Sequence, residues 1–106
     1  ILELNEKGDC LDIWAHNPDE LTAKKERLIG RNVSEILPFK ATSRVMESLK
    51  EAKRKGQSRG QQIQLETPKG KMWFELSTNL EVNNNSTPPK FIMLSHDITK
   101  RKQAEI

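Results

Sequence analysis

Apolar positions in this chain fall mostly into short runs with a period of two, interrupted near the middle by one stretch with a helical period. Ile1 to Asn5 reads as a strand, and Lys7-Gly8-Asp9 is a turn signal. Cys10 to Ala15 reads as a second strand, with Leu11, Ile13 and Ala15 on one face and Cys10 and Trp14 on the other. The two runs make a hairpin. Asn17-Pro18-Asp19-Glu20 breaks the strand, and Asn17 or Asp19 is placed to cap a short helical turn. Glu20 to Ile29 has only Leu21, Leu28 and Ile29 as large apolar anchors, so short helical pieces are expected there, ended by Gly30. Asn32 to Leu37 is another helical turn, with Val33, Ile36 and Leu37 on one face, and Pro38 stops it.

Thr42 to Lys55 is the clearest helix. Val45, Met46, Leu49 and Ala52 follow helical spacing, Glu47 and Glu51 pair with Lys50, Arg54 and Lys55, and Gly56 supplies the stop. Gly56 and Gly60 then bracket a linker. Gln61 to Thr67 alternates, and after the Pro68-Lys69-Gly70 turn Lys71 to Val82 alternates for longer, with Met72, Phe74, Leu76, Thr78, Leu80 and Val82 on one face. Trp73 lies opposite the Phe74 face, so one of the two aromatic residues looks outward, and an outward tryptophan would predict a packing partner, either a second chain or a flanking helix. Asn83 to Pro89 is a hairpin loop. Lys90 to Ile98 is the last strand, and it runs directly into a charged helix-forming segment from Thr99. Asp97 and Thr99 sit at that junction, where a helix N-cap belongs. The predicted fold is α+β: a five-stranded antiparallel sheet with helices packed on one face.

A chain of 106 residues, 34% hydrophobic and 31% charged, suits one domain with a modest core. The net charge of +3 is spread over separate groups, which fits solvated faces and helix ends and argues against a nucleic-acid partner. The single Cys10 excludes an internal disulfide and fits a reducing compartment. No run approaches 18 apolar residues and no signal peptide is visible, so the expectation is a cytoplasmic domain. Opening on Ile1 and stopping within a helix suggest a piece of a longer protein, whose other parts could associate with a membrane.

Four segments, in order, resemble a PAS (PAS/PAC) sensor domain of a bacterial signalling protein: Gly8 to Leu21, Leu28 to Pro38, the set Gly70, Trp73, Phe74 and Glu75, and Asp97-Ile98-Thr99 with Arg101-Lys102. The resemblance covers nearly the whole chain. It implies a sensor domain over residues 1–98 and the start of an exit signalling helix over 99–106. It also implies a homodimer, a covalently linked output domain such as a histidine kinase or diguanylate cyclase, and room for a small-molecule ligand. Asp97, Ile98 and Thr99 would then form the signal relay, tying the exit helix to the sheet. The cofactor stays unknown. Val33 follows Gly30-Arg31-Asn32 where one flavin-binding subgroup has its adduct-forming cysteine, and no histidine lies on Thr42 to Lys55 where haem-binding relatives carry one. His96 and Ser77 stand where relatives often have arginines.

Catalytic spacing is absent, so the domain itself is not expected to be an enzyme. Cys10, His16 and His96 lack metal-ligand spacing. His16, at a strand end before Asn-Pro, bonds its own turn in the simpler reading or sits at a pocket mouth in the functional one. Trp14 can be core, ligand lining or a partner contact. Met46, Leu49, Phe74, Leu76 and Met93 could close a ligand cavity between the long helix and the sheet, or form an ordinary core. The alternative to a sensor is a ligand-free dimerisation and spacer module.

Overall fold

The computed structural model describes residues 1–14, 25–81 and 88–105. In chain order these form β1 (Leu2–Asn5), β2 (Cys10–Ile13), α1 (Lys25–Leu28), α2 (Val33–Ile36), α3 (Phe39–Lys55), β3 (Gln57–Thr67), β4 (Gly70–Leu80), β5 (Lys90–Asp97) and α4 (Thr99–Ala104). The strands make one antiparallel sheet in the order β2-β1-β5-β4-β3. His16, Asn17, Asp19 and Val82 lie outside the described residues.

α3 covers one face of the sheet. Its buried side, Ala41, Val45, Ser48, Leu49 and Ala52, meets Leu4, Ile13, Ile63, Leu76, Phe91 and Met93 from the strands. Lys53, Arg54 and Lys55 in the last turn complement the helix dipole, and Gly56 follows as the stop. The helix begins at Phe39, three residues before the expected start at Thr42. Pro38 both ends the preceding turn and opens α3, and Phe39 is 85% exposed, so the first turn is anchored only by the small Ala41 and leaves a weak periodic signal.

Two β-bulges overturn strict alternation. In the first hairpin Glu3 pairs with Asp12 but Leu4 pairs with Cys10, leaving Leu11 as the extra residue. Cys10 and Ile13 are therefore both buried, where the sequence had put them on opposite faces. In the second, Arg59 pairs with Ser77 and Gln61 with Leu76, so Gly60 is extra. The expected linker between Gly56 and Gly60 is instead the start of β3, and Gly60, at φ +93°, takes the left-handed conformation the bulge requires.

The edge of β2 is covered by the segment leading into α2. Cys10 N–H donates to Arg31 O at 2.8 Å and Gly30 N–H to Cys10 O at 2.7 Å. Asn32 donates to Lys7 O and Asp9 Oδ1 and accepts from Ser34 N–H. Asn32 first, then Asn5, hold the Asp9 carboxyl below its usual range by hydrogen bonding. Gly8 packs so closely beneath α2 that a Cβ there would stand 2.9 Å from Val33 Cγ2.

Three hydroxyls lie buried between α3 and the sheet. Ser48 and Thr78 bond each other at 2.6 Å, whereas Ser58 Oγ, across the ladder from Thr78, has no partner. The two situations predict opposite mutational signs. Thr78→Val strands the Ser48 hydroxyl and should cost about 1–3 kcal/mol, while Ser58→Ala removes an unsatisfied group and should be neutral or stabilising. Urea unfolding of both variants is the check, and equal destabilisation would contradict the assignment.

Candidate functional site

The junction between β5 and α4 concentrates long-range polar contacts. β5 runs antiparallel to β4, which sets Asp97 opposite Phe74 and His96 opposite Glu75. Ile98 is buried and its N–H donates to Trp73 O at 2.9 Å. Thr99 then turns its hydroxyl onto the same residue: Oγ1 accepts from Trp73 N–H at 3.0 Å and lies 3.5 Å from Trp73 O as a donor. Asp97 Oδ1 accepts from Thr99 N–H at 2.9 Å. The flanking cap residue of α4 is Ile98, without a side-chain cap bond, so Asp97, expected at the N-cap, acts one position before it, and Thr99 is the first helical residue.

The Thr99 side chain first, then its amide, hold the Asp97 carboxyl below its usual range.

One turn further along, α4 reaches the face of the sheet opposite α3. Leu76 and Thr78 of β4 are buried beneath α3, so by alternation Trp73 and Glu75 point the other way. Arg101 bonds Glu75 at 2.8 Å, and this pairing holds the Glu75 carboxyl below its usual range. The Lys102 ammonium lies 4.6 Å from the centre of the Trp73 ring and donates to Gln62 at 3.1 Å. The packing partner expected of an outward Trp73 is thus the flanking helix.

The candidate pocket residues divide. Leu49, Leu76 and Met93 are brought together in the core, with Met46 and Phe74 packed partly buried against it. Trp14 stands apart at the end of β2, 45% exposed, its backbone bonded to Ile1. His16 lies outside the described residues. A concavity of about 330 Å³ lies elsewhere, between β3, β4 and β5, lined by Arg59, Glu75, Leu76, Ser77, Leu94, Ser95 and His96. Sequence reasoning did not single out Arg59 or Leu94. Their convergence depends on strand register and on the Gly60 bulge, neither of which leaves a local signal. Among the described residues no group of three or more His, Cys, Asp or Glu could hold a metal ion, and no helix is long and apolar enough to cross a membrane.

Comparison with known proteins agrees with this architecture. Solved structures similar to the chain include a domain of an HTR-like protein from Haloarcula marismortui, at 20% identity over 92% of this chain and 95% of that one, with a TM-score of 0.70. A PAS domain from Colwellia psychrerythraea matches at 23% identity over 94% and 86%, with a TM-score of 0.70. The PAS domain of the Cronobacter turicensis RpfR quorum-sensing receptor, in complex with C12:0, matches at 18% identity over 92% and 91%, with a TM-score of 0.61. No curated protein matches the chain. The family model described as PAS fold matches residues 5–103, and with that match over nearly its whole length the chain belongs to the PAS family of sensory domains.

Proposed function

We propose that this domain relays ligand or partner state to the output domain of a bacterial signalling protein, a sensor histidine kinase or a diguanylate cyclase. Residues 1–98 would be the sensor body, and α4 would open the exit helix that continues to the output. The observation that carries the reading is the double engagement of Trp73 by Thr99, backed by Arg101–Glu75 and Lys102–Trp73. Each tie is weak: a hydrogen bond contributes about 1 kcal/mol, and the solvent-screened ion pair and cation–π contact add less. The Thr99 bonds to Trp73 alone are of the size of a typical allosteric coupling, about 1–3 kcal/mol. Such a latch holds one helix position firmly and still yields to a signal that binds the other state better.

In this reading the domain works as a homodimer, with exit helices joined in a coiled coil, in a cytoplasmic part of a parent protein that is membrane-associated or free. The signal would enter through a ligand among Trp14, His16, Met46, Leu49, Phe74, Leu76 and Met93, or through a partner on the helix-facing side. The alternative, a constitutive dimerisation and spacer module without ligand, is favoured by one observation: Leu49, Leu76, Phe91 and Met93 are each at most 2% exposed, so they pack on one another as a closed core.

In the full-length protein, Asp97→Ala and Thr99→Val should each abolish most of the signal dependence of output while the domain stays folded. Output that still responds fully would remove these residues from the relay. Native mass spectrometry of the purified chain separates the two readings. A dimer with a retained small molecule supports the sensor, and an empty dimer supports the spacer.

The latch should also be acid-sensitive. The Asp97 and Glu75 carboxyls titrate below their usual range in the folded chain, so their contribution is present above that range and is lost as pH falls through the lowered values. Trp73 fluorescence, followed in a Trp14→Phe background, should hold steady from pH 7 to about pH 4 and change only below it. A transition near pH 6 would contradict this assignment.

A further inference from the structure

We infer that the outward face of the sheet, away from α3, carries a binding site for a small organic anion with an apolar body. The site is the concavity between β3, β4 and β5. Two cross-strand rows form it, Arg59–Ser77–Leu94 and Glu75–His96. Its volume, about 330 Å³, falls at the lower end of the ~300–1,000 Å³ typical of ligand pockets.

Charge selects the occupant. The carboxylate in the lining, Glu75, is already neutralised by Arg101 at 2.8 Å. The Arg59 side chain makes no hydrogen bond or ion pair among the described residues, so a full positive charge and a planar set of donors remain unspent. A carboxylate matches that donor geometry in a bidentate bond. The Ser77 hydroxyl, half-buried in the same row, and the His96 imidazole add further polar atoms. Leu94, 43% exposed, supplies apolar surface for the rest of the molecule.

The backbone is shaped to this end. The register irregularity of the β3–β4 ladder falls immediately after Arg59, at Gly60. It lets Ser58 face the core opposite Thr78, Arg59 face outward opposite Ser77, and Gln61 return to the core side.

The site borders the latch, because Glu75 both lines the concavity and holds Arg101. An occupant that repositions Glu75 therefore acts on α4 directly. This second part rests on the relay reading, whereas the binding site does not.

The test is a titration of the ¹⁵N-labelled chain with sodium hexanoate and, separately, hexanamide, at neutral pH and low salt. Hexanoate should move the Arg59, Ser77, Leu94 and His96 amides saturably, with binding of hexanamide at least about tenfold weaker. Arg59→Gln, an exposed substitution, should weaken hexanoate binding by a similar factor. Ser77→Asp, which places a carboxylate beside Arg59, should do the same by a different route. A site that answers equally to hexanamide, or that survives both substitutions, is not an anion site. Shifts centred on Leu49 and Met93 would place the ligand in the core instead. Shifts that follow protein concentration and not hexanoate would assign the concavity to an acidic side chain of a second copy. Movement of the Arg101 amide along the same isotherm supports the link to α4, and a stationary Arg101 overturns that link alone. Binding is read here without reference to output, so failure of the site and failure of the Asp97–Thr99 relay remain distinguishable.

Discussion

The structure depends on β5 lying in the middle of the sheet. It pairs with β1 through Lys90 to Met93 and with β4 through Phe91 to Asp97. The first and last strands of the chain are thereby neighbours, and the two hairpin-linked halves become one sheet only through that long-range ladder. Phe91 and Met93 sit completely buried at the join, under α3. The two ends of β5 are not equivalent, however. The first half has a partner strand on each side, and the second half, Leu94 to Asp97, has lost β1 and keeps β4 alone. Fewer ladder bonds mean a lower cost of local rearrangement. The half with that lower cost leads into Ile98 and Thr99, so it is also where sheet and helix meet.

The two faces of the sheet are held by different physics. On the α3 side the contacts are apolar and close-packed, so displacement there would open a cavity at a cost of several kcal/mol. On the α4 side, among the described residues, they are hydrogen bonds, one ion pair and one cation–π contact, half-exposed and individually small. The body can therefore stay folded while the last helix changes its attachment. Separation of these energy scales is what a relay needs, since a signal of a few kcal/mol could not act through a contact that also holds the domain together.

Much of the fold was legible because long alternating runs and one amphipathic helix leave strong periodic signals. Met72 to Leu80 and Val45 to Ala52 are examples. What escaped were the places where a single residue changes the count. Leu11 in the first hairpin and Gly60 in β3 are both bulge residues, and a period of two cannot register an insertion before the pairing is known. The junction was half legible. Asp97 and Thr99 stand together in sequence, but Trp73, which Thr99 bonds, and Glu75, which Arg101 bonds, lie more than twenty residues earlier on another strand. An outward tryptophan announced that something must cover it without saying what. The anion site was not legible at all, since it combines a bulge, a register and three strands.

The Gly30-Arg31-Asn32-Val33 segment shows why chemistry is better sought on the outward face. Every polar capacity of the Asn32 side chain that the structure describes is spent on the fold: its amide on Lys7 and Asp9, its oxygen on Ser34. Val33 is buried against Gly8, and the neighbouring backbone closes the edge of β2. A segment so engaged stabilises the first hairpin, and a ligand could recruit it only by breaking those bonds. Arg59 is in the opposite condition. Its guanidinium stabilises nothing described, yet a bulge is maintained beside it, and the ion pair next to it ties down α4. Groups that the fold does not use are the ones free to recognise something else.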